Sequence, residues 1–286
     1  MWKLGLAAWL AILFAAQPAV AAESLELQQL EQRLAASARE NPGEFGMAAM
    51  DLTTGETIGV NSQMAFPMAS TMKIAVAAAY LAEVDAGRRS LHDTVGNSTA
   101  YDLMDRMMIR SDNGATDELI ATLGGPQAID GWLRSHGLSG IRVDRTIAQL
   151  LAARRDLWDV RDSSTPVAML DLLRLVDSDK ALSAQSRGLL LDMMSRCKTG
   201  SNRIRGLLPS YAVQNKTGTL NNYTTDVGFL TLPDGRRIAV AFFARGGENR
   251  PAVIATAARA IYDGFGTRTA MADSGRGGRV LMQAAR

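Results

Sequence analysis

Strand-forming sequence is confined to the two ends of this chain, and everything between them reads as helix. Runs rich in β-branched and aromatic residues occur at residues 45–52 and 57–60, and then at 211–217, 225–232 and 238–244. Thr53, Thr54, Gly55 and Glu56 separate the first pair, and Pro233, Asp234 and Gly235 the last, as hairpin connections do. Helical periodicity falls at residues 70–86, 100–110, 115–123, 127–137, 167–176 and 184–196. An amphipathic helix over residues 24–41, with Leu25, Leu27, Leu30 and Leu34 on or near one face, precedes the first strand, and another over 251–262 follows the last. Strands at both ends around a helical middle imply an α/β (α+β) fold: an antiparallel sheet built from both termini and flanked by helices, with an inserted all-helical domain and an active site between them. The expected boundaries are 23–66 and 206–263 for the sheet domain and 67–205 for the helical one, with a flexible tail at 264–286.

Residues 1–22 carry one charge, Lys3, then an apolar run, Pro18 and the small residues Ala19, Val20, Ala21 and Ala22. That is the pattern of a signal peptide cleaved near Ala21 or Ala22, so a periplasmic or extracellular protein is expected. The run is too short to span a bilayer comfortably, and no later stretch approaches about eighteen uninterrupted apolar residues. Without the leader, Lys plus Arg falls from 31 to 30 against 29 Asp plus Glu, which argues against a nucleic-acid face. Cys197 is the only cysteine, so no intramolecular disulfide forms, and it reads as a half-buried thiol at a helix end. The only histidines, His92 and His136, give no metal-ligand spacing and read as solvated or structural. No metal and no cofactor are expected, and the chain is read as a monomer.

A serine hydrolase built on this chain has few histidines to use as a base. The alternative base is a lysine that loses its proton through desolvation or a nearby cation. Phe66, Pro67, Met68, Ala69, Ser70, Thr71, Met72 and Lys73 supply that arrangement. The proline and the apolar run after Lys73 put Ser70 at the first turn of a buried helix, with Lys73 one turn later on the same face. Ser-x-x-Lys alone is common by chance, but two further motifs change its weight. Ser111, Asp112 and Asn113 interrupt two helical patterns, where a hydroxyl and an amide can project into a cleft. Lys216, Thr217 and Gly218 end a strand and are followed by Thr219: a cation and a donor for a substrate carboxylate, and a glycine that permits close backbone approach. Lys198, Thr199 and Gly200 repeat the triplet after a helix, where lysine and glycine are ordinary C-terminal residues, so this copy reads as structural.

These three elements, in this order, resemble the pattern of class A β-lactamases and penicillin-binding proteins. The likeness to class A runs from about Ser24 to Tyr262. It includes the Phe-Pro-Met approach to Ser70, Gly124-Gly125-Pro126, Val143-Asp144-Arg145, and Arg161-Asp162 with Pro166, which bracket an omega-type loop near residues 143–166. The resemblance implies that Ser70 attacks an amide carbonyl, Lys73 takes its proton and Ser111 relays a proton to the leaving nitrogen. It implies that Asn113 binds the substrate's side-chain amide, that Lys216, Thr217 and Thr219 hold its carboxylate, and that the backbone amides of Ser70 and Thr219 form the oxyanion hole. Arg203 has two readings, an aid to the carboxylate or a surface arginine.

The chain departs from the family at two places. Class A enzymes carry a glutamate in the omega-type loop that activates the deacylating water. Counting on from Val143, Asp144 and Arg145, Ile147 stands in its place, and Leu151 stands where the family has a water-holding asparagine. No glutamate lies between Glu118 and Glu248, and Asp156 or Asp159 would be a short substitute. Arg145 and Asp162 are expected to pair across the neck of the loop. Ser70 and Ser111 are also only 41 positions apart, closer than in typical class A enzymes, so a cleft wall is shortened. Both departures favour a peptide over a compact antibiotic.

The expected function is a serine acyl-enzyme amide hydrolase, acylated at Ser70 by β-lactams and acyl-D-Ala-D-Ala peptides, with slow β-lactam release. It leans toward a penicillin-binding D,D-peptidase whose partners are β-lactams or peptidoglycan stem peptides. The alternatives are a true β-lactamase with a substitute base and a non-turnover sensor module.

Overall fold

The computed structural model describes residues 25–153 and 159–283, with side chains to residue 267. The expected leader therefore lies outside the described residues, and among the described residues no helix is long and apolar enough to cross a membrane. The chain opens with helix α1 (Leu25–Glu40), strands β1 (Glu44–Asp51), β2 (Thr57–Val60) and the short β3 (Phe66–Pro67), and helix α2 (Lys73–Asp85). A small hairpin of β4 (Thr94–Val95) and β5 (Ser98–Thr99) leads to α3 (Ala100–Ile109), α4 (Asn113–Leu123), α5 (Pro126–Ser135) and the six-residue α6 (Ile147–Ala152). Strand β6 (Ser163–Ser164), α7 (Pro166–Asp177) and α8 (Ala184–Ser195) precede β7 (Val213–Leu220), β8 (Tyr223–Thr231), β9 (Arg237–Arg245) and the closing α9 (Arg250–Gln283).

The two ends meet in one five-stranded sheet of order β2-β1-β9-β8-β7. Its neighbours are all antiparallel, and β1 pairs along its whole length with β9, from Glu44 opposite Arg245 to Asp51 opposite Ile238. Alternate side chains of the sheet enter two cores, because successive residues of a strand point to opposite faces. Phe45, Met47, Ala49, Val240 and Phe242 pack with α1 and α9, while Ala48, Met50, Phe229, Ala241 and Phe243 pack with the helical middle.

On α1 the buried positions are Leu27, Leu30, Leu34 and Ala38, spaced as one helical face. Leu25 stays exposed, because two residues before Leu27 is the far side of the helix. Helix α9 passes the expected end at 262, and residues 264–283, expected as a flexible tail, continue it. Phe265 explains why it does not stop at Tyr262: its ring is fully buried against the α1 side of the sheet and its carbonyl accepts from Arg236 Nη2.

Helix α2 is buried on all sides from Lys73 to Leu81, so an ionisable lysine opens an otherwise apolar stretch, and the acidic residues Glu83 and Asp85 lie only at its less buried end. Thr99, Asp112, Thr146, Thr165 and Ser183 cap the helices that follow them by accepting a first-turn backbone N–H.

Candidate active site

Ser70 sits in a 3-10 turn, Ala69–Met72, that runs into α2, and the N–H of Lys73 donates to the Ser70 carbonyl. Two residues flanking the site hold left-handed backbone without being glycine: Ala69 at φ +50° and Ser111 at φ +60°. Each costs roughly 1–2 kcal/mol, so the surroundings must enforce it. At Ala69 they do. Met68 donates its N–H to the Asp162 carbonyl at 3.0 Å, and its own carbonyl accepts from Thr71 Oγ1 at 2.7 Å and Thr225 Oγ1 at 3.1 Å. Gly218 lies so close that a Cβ there would stand 2.8 Å from Ala69 Cβ and 2.9 Å from the Met68 carbonyl. The glycine read as room for a substrate is required by the protein's own packing.

The lysine at the start of α2 is held by the loop between α3 and α4. Lys73 Nζ donates to the Ser111 carbonyl at 2.7 Å, Ser111 Oγ at 3.2 Å and Asn113 Oδ1 at 2.8 Å. Lys216 Nζ reaches the same Ser111 Oγ at 3.0 Å and the Thr217 carbonyl at 2.9 Å. Burial first, and then the charge of Lys216, pull the Lys73 ammonium down to about 7, against Asp112 and Asp117, which favour its proton. Burial likewise lowers Lys216 to about 8.

β7 carries the whole run Lys216 to Thr219 on one strand. Arg203 is buried and so is not a surface arginine: Nη1 donates to the carbonyls of Gly218 and Thr225, both at 2.9 Å, and Nη2 to Thr219 Oγ1 at 2.6 Å. As Thr219 Oγ1 accepts from the guanidinium, its own proton is free to face the cleft. The second Lys-Thr-Gly backs the first. Thr199 Oγ1 shares a hydrogen bond with Thr217 Oγ1, and Cys197 Sγ lies 3.4 Å from Thr199 Oγ1. Cys197 is a free buried thiol just past the end of α8. Of the histidines, His92 is exposed, and His136 packs against Trp132 with ring centroids 4.6 Å apart and planes tilted by 44°.

Arg145 and Asp162 do pair, at 2.5 Å, and Asp162 also accepts the N–H groups of Asp144 at 2.8 Å and Arg145 at 3.0 Å. Ile147 is 4% exposed and joins the apolar core, while Leu151 is 55% exposed. Asp159 is committed elsewhere: hydrogen bonds from Arg161, with Arg145 nearby, hold its carboxyl at about 2, too weak a base to activate water. Asp156 lies outside the described residues.

Three buried or half-buried contributors escaped the sequence reading. Asp117, one turn after Asn113 on α4, accepts the N–H of Ile147 at 2.6 Å and of Ala148 at 2.8 Å. Its i, i+4 spacing from Asn113 was the available signal. Asp226, fully buried on β8 opposite Thr217 of β7, accepts from Asn215 Nδ2 at 2.8 Å and is pushed up to about 7 by burial. Thr199 had been set aside with its triplet. Asp226 carried no sequence signal, and Thr199 only that of its triplet, because both act across strands or turns distant in the chain.

A family model described as the β-lactamase enzyme family matches residues 29–265. The chain belongs to the class A β-lactamase family. Among its relatives, β-lactamase CTX-M-8 of Citrobacter amalonaticus is 30% identical over 84% of this chain and 90% of its own length. The carbapenem-hydrolysing β-lactamase KPC of Klebsiella oxytoca is 32% identical over 78% of this chain and 85% of its own. Among solved structures, the class A β-lactamase of the last common ancestor of Gram-negative bacteria is 34% identical with a TM-score of 0.77. The match covers 82% of this chain and 99% of that one. A β-lactamase from Chitinophaga pinensis is 29% identical with a TM-score of 0.74, over 83% and 98%. This class A family member is accordingly a hydrolase by descent, with the class A mixture of helices around an antiparallel sheet.

Proposed function

We propose that this class A family member is a serine acyl-enzyme hydrolase, acylated at Ser70 by β-lactams and by acyl-D-Ala-D-Ala peptides, that releases β-lactams slowly. In this reading neutral Lys73 takes the Ser70 proton as Oγ attacks the carbonyl. The backbone N–H groups of Ser70 and Thr219 stabilise the oxyanion. Ser111 passes a proton to the departing nitrogen, and Lys216, Thr217, Thr219 and Arg203 hold the substrate carboxylate. The observation that carries the slow release is Ile147, buried in the apolar core at the place of the family's loop glutamate. A positioned carboxylate contributes roughly 10²–10⁴-fold to water attack, and Ile147 supplies none of it.

A peptide still turns over in this scheme, because its D-alanine leaves the cleft and makes room for water or an acceptor amine, whereas an opened β-lactam stays tethered. The reading of residues 1–22 as a leader supports a site outside the cytoplasm, where stem peptides are found. The second reading, a β-lactamase using another base, is favoured by the relatives named above, which are β-lactamases. Labelling with a fluorescent penicillin and chasing with unlabelled drug separates the two. Fast labelling that is lost in Ser70→Ala, followed by slow decay, is expected. Rapid decay of the wild-type adduct means a β-lactamase, and labelling that persists in Ser70→Ala removes the nucleophile assignment.

A further inference from the structure

Two exposed cations stand in the chain directly before residues of the site, and neither has been given a role. We propose that Arg110 and Lys198 form an anion-accepting rim at the leaving-group end of the cleft, so that the favoured substrate carries a second carboxylate on the residue that departs, as an acyl-D-Ala-D-Glu peptide does. The inference rests on the acyl-enzyme reading above and names the leaving group within it.

A backbone hydrogen bond brings the two residues together. Lys198 donates its N–H to the Ile109 carbonyl at 2.9 Å, and that carbonyl belongs to the peptide bond leading into Arg110. Arg110 precedes Ser111, whose Oγ accepts from Lys216 at 3.0 Å. Lys198 precedes Thr199, whose hydroxyl is hydrogen-bonded to that of Thr217. In an acyl-D-Ala-D-Ala peptide the carboxylate assigned to Lys216 and Thr217 and the nitrogen assigned to Ser111 belong to the same departing residue. Arg110 and Lys198 therefore flank the end of the cleft where the leaving group lies.

Both side chains are exposed, and among the described residues neither has a hydrogen bond or an ion pair. The other charges of this face are engaged with one another. Arg196 lies 2.8 Å from Asp105 and 2.8 Å from Asp192, and Arg106 lies 3.9 Å from Asp112. Arg205 donates to Asn215 Oδ1 at 2.8 Å. No acid there is left to neutralise Arg110 and Lys198, so their two charges add to those of Lys216 and Arg203 and favour a dianionic leaving group. The bond broken is unchanged. Ser70 Oγ bonds to the D-alanine carbonyl carbon, the C–N bond breaks, and the nitrogen takes a proton through Ser111 and departs as free D-glutamate.

Acyl-D-Ala-D-Glu and acyl-D-Ala-D-Gln differ in one charge and hardly in shape, and release of the terminal D-amino acid reports cleavage of either. At low salt the wild type is expected to show a kcat/KM roughly three- to tenfold higher for the D-Glu peptide, the range that two exposed charge contacts give. Salt at about 0.5 M should remove most of that preference. Arg110→Gln combined with Lys198→Gln is expected to bring the ratio to about one. Where the double variant does not fold, each single substitution is expected to remove part of the preference and decides in its place. A wild-type ratio of one overturns the proposal. So does a ratio that survives in the variant, even if both peptides are slowed alike. Cations that serve only the ends of α3 and α8 lower the melting temperature on replacement and leave the ratio alone, which is the same refutation. Should neither peptide turn over, the concentrations of each that protect Ser70 from a fluorescent penicillin give the ratio instead. Release that persists in Ser70→Ala refutes the acyl-enzyme reading separately, while the ratio still judges the rim.

Discussion

Lys73 and Lys216 converge on one acceptor, the Ser111 hydroxyl, at 3.2 and 3.0 Å. Two buried ammonium groups sharing an oxygen each make the other's proton harder to keep.

The pH dependence of acylation follows from that sharing. In the proposed mechanism Lys73 must be neutral to take the Ser70 proton, and its ammonium titrates at about 7, so the rate is expected to rise as pH climbs through that value. Lys216 must be charged to hold a carboxylate and titrates at about 8, so the rate falls as pH climbs through that value. A narrow bell is expected, and its limbs belong to the lysine pair as a unit. Lys216→Gln removes the alkaline limb, weakens binding, and moves the acid limb upward because a like charge has gone. Stopped-flow acylation across pH 6 to 9 checks it; a flat profile would remove the lysine from the role of base.

Ile147→Glu with Leu151→Asn should speed β-lactam release by about a hundredfold and leave acylation nearly unchanged. The new carboxylate enters a site whose backbone already rests on Asp117, so repulsion disfavours its ionised form and the gain should grow with pH. Leu151 is 55% exposed, and its replacement alone should cost under about 0.5 kcal/mol. The buried Ile147 position should cost roughly 1–3 kcal/mol. Adduct decay and melting temperature, measured together, separate the two effects.

Gly218→Ala places a methyl against Ala69 and the Met68 carbonyl, the two residues that set the Ser70 turn. Overpacking of this kind costs about 1–3 kcal/mol, and a displaced nucleophile loses about a hundredfold in rate. The expected result is an acylation defect larger than the stability loss explains, read from the melting temperature against the acylation rate. Equal labelling by wild type and variant would mean that the turn is free to move.

The sheet was legible because its strands are local runs with glycine-bearing turns, and the place of Ser70 ahead of α2 because Pro67 and the apolar run after Lys73 mark a buried helix start. Helix α6 was not. Six residues are too few for periodicity, although Thr146 and Gln149 form a capping box. The second Lys-Thr-Gly was legible as structural, but its hydrogen bond to Thr217 crosses 18 positions of chain. The burial of Arg203 likewise depends on β7 and β8 folding over it, which no local pattern encodes.

Placing α2, which follows Ser70 and opens on Lys73, at the centre of the molecule ties the proposed reactivity to the integrity of the whole interior. In the proposed mechanism Lys73 is a usable base near neutrality only while α2 is dry, so a partly unfolded molecule, whose interior admits water, recovers an ordinary protonated lysine and loses an activated Ser70 before its helices melt. Covalent tagging by a penicillin therefore counts native molecules in a mixed population, and on heating the tagged fraction should decline ahead of the helical circular-dichroism signal.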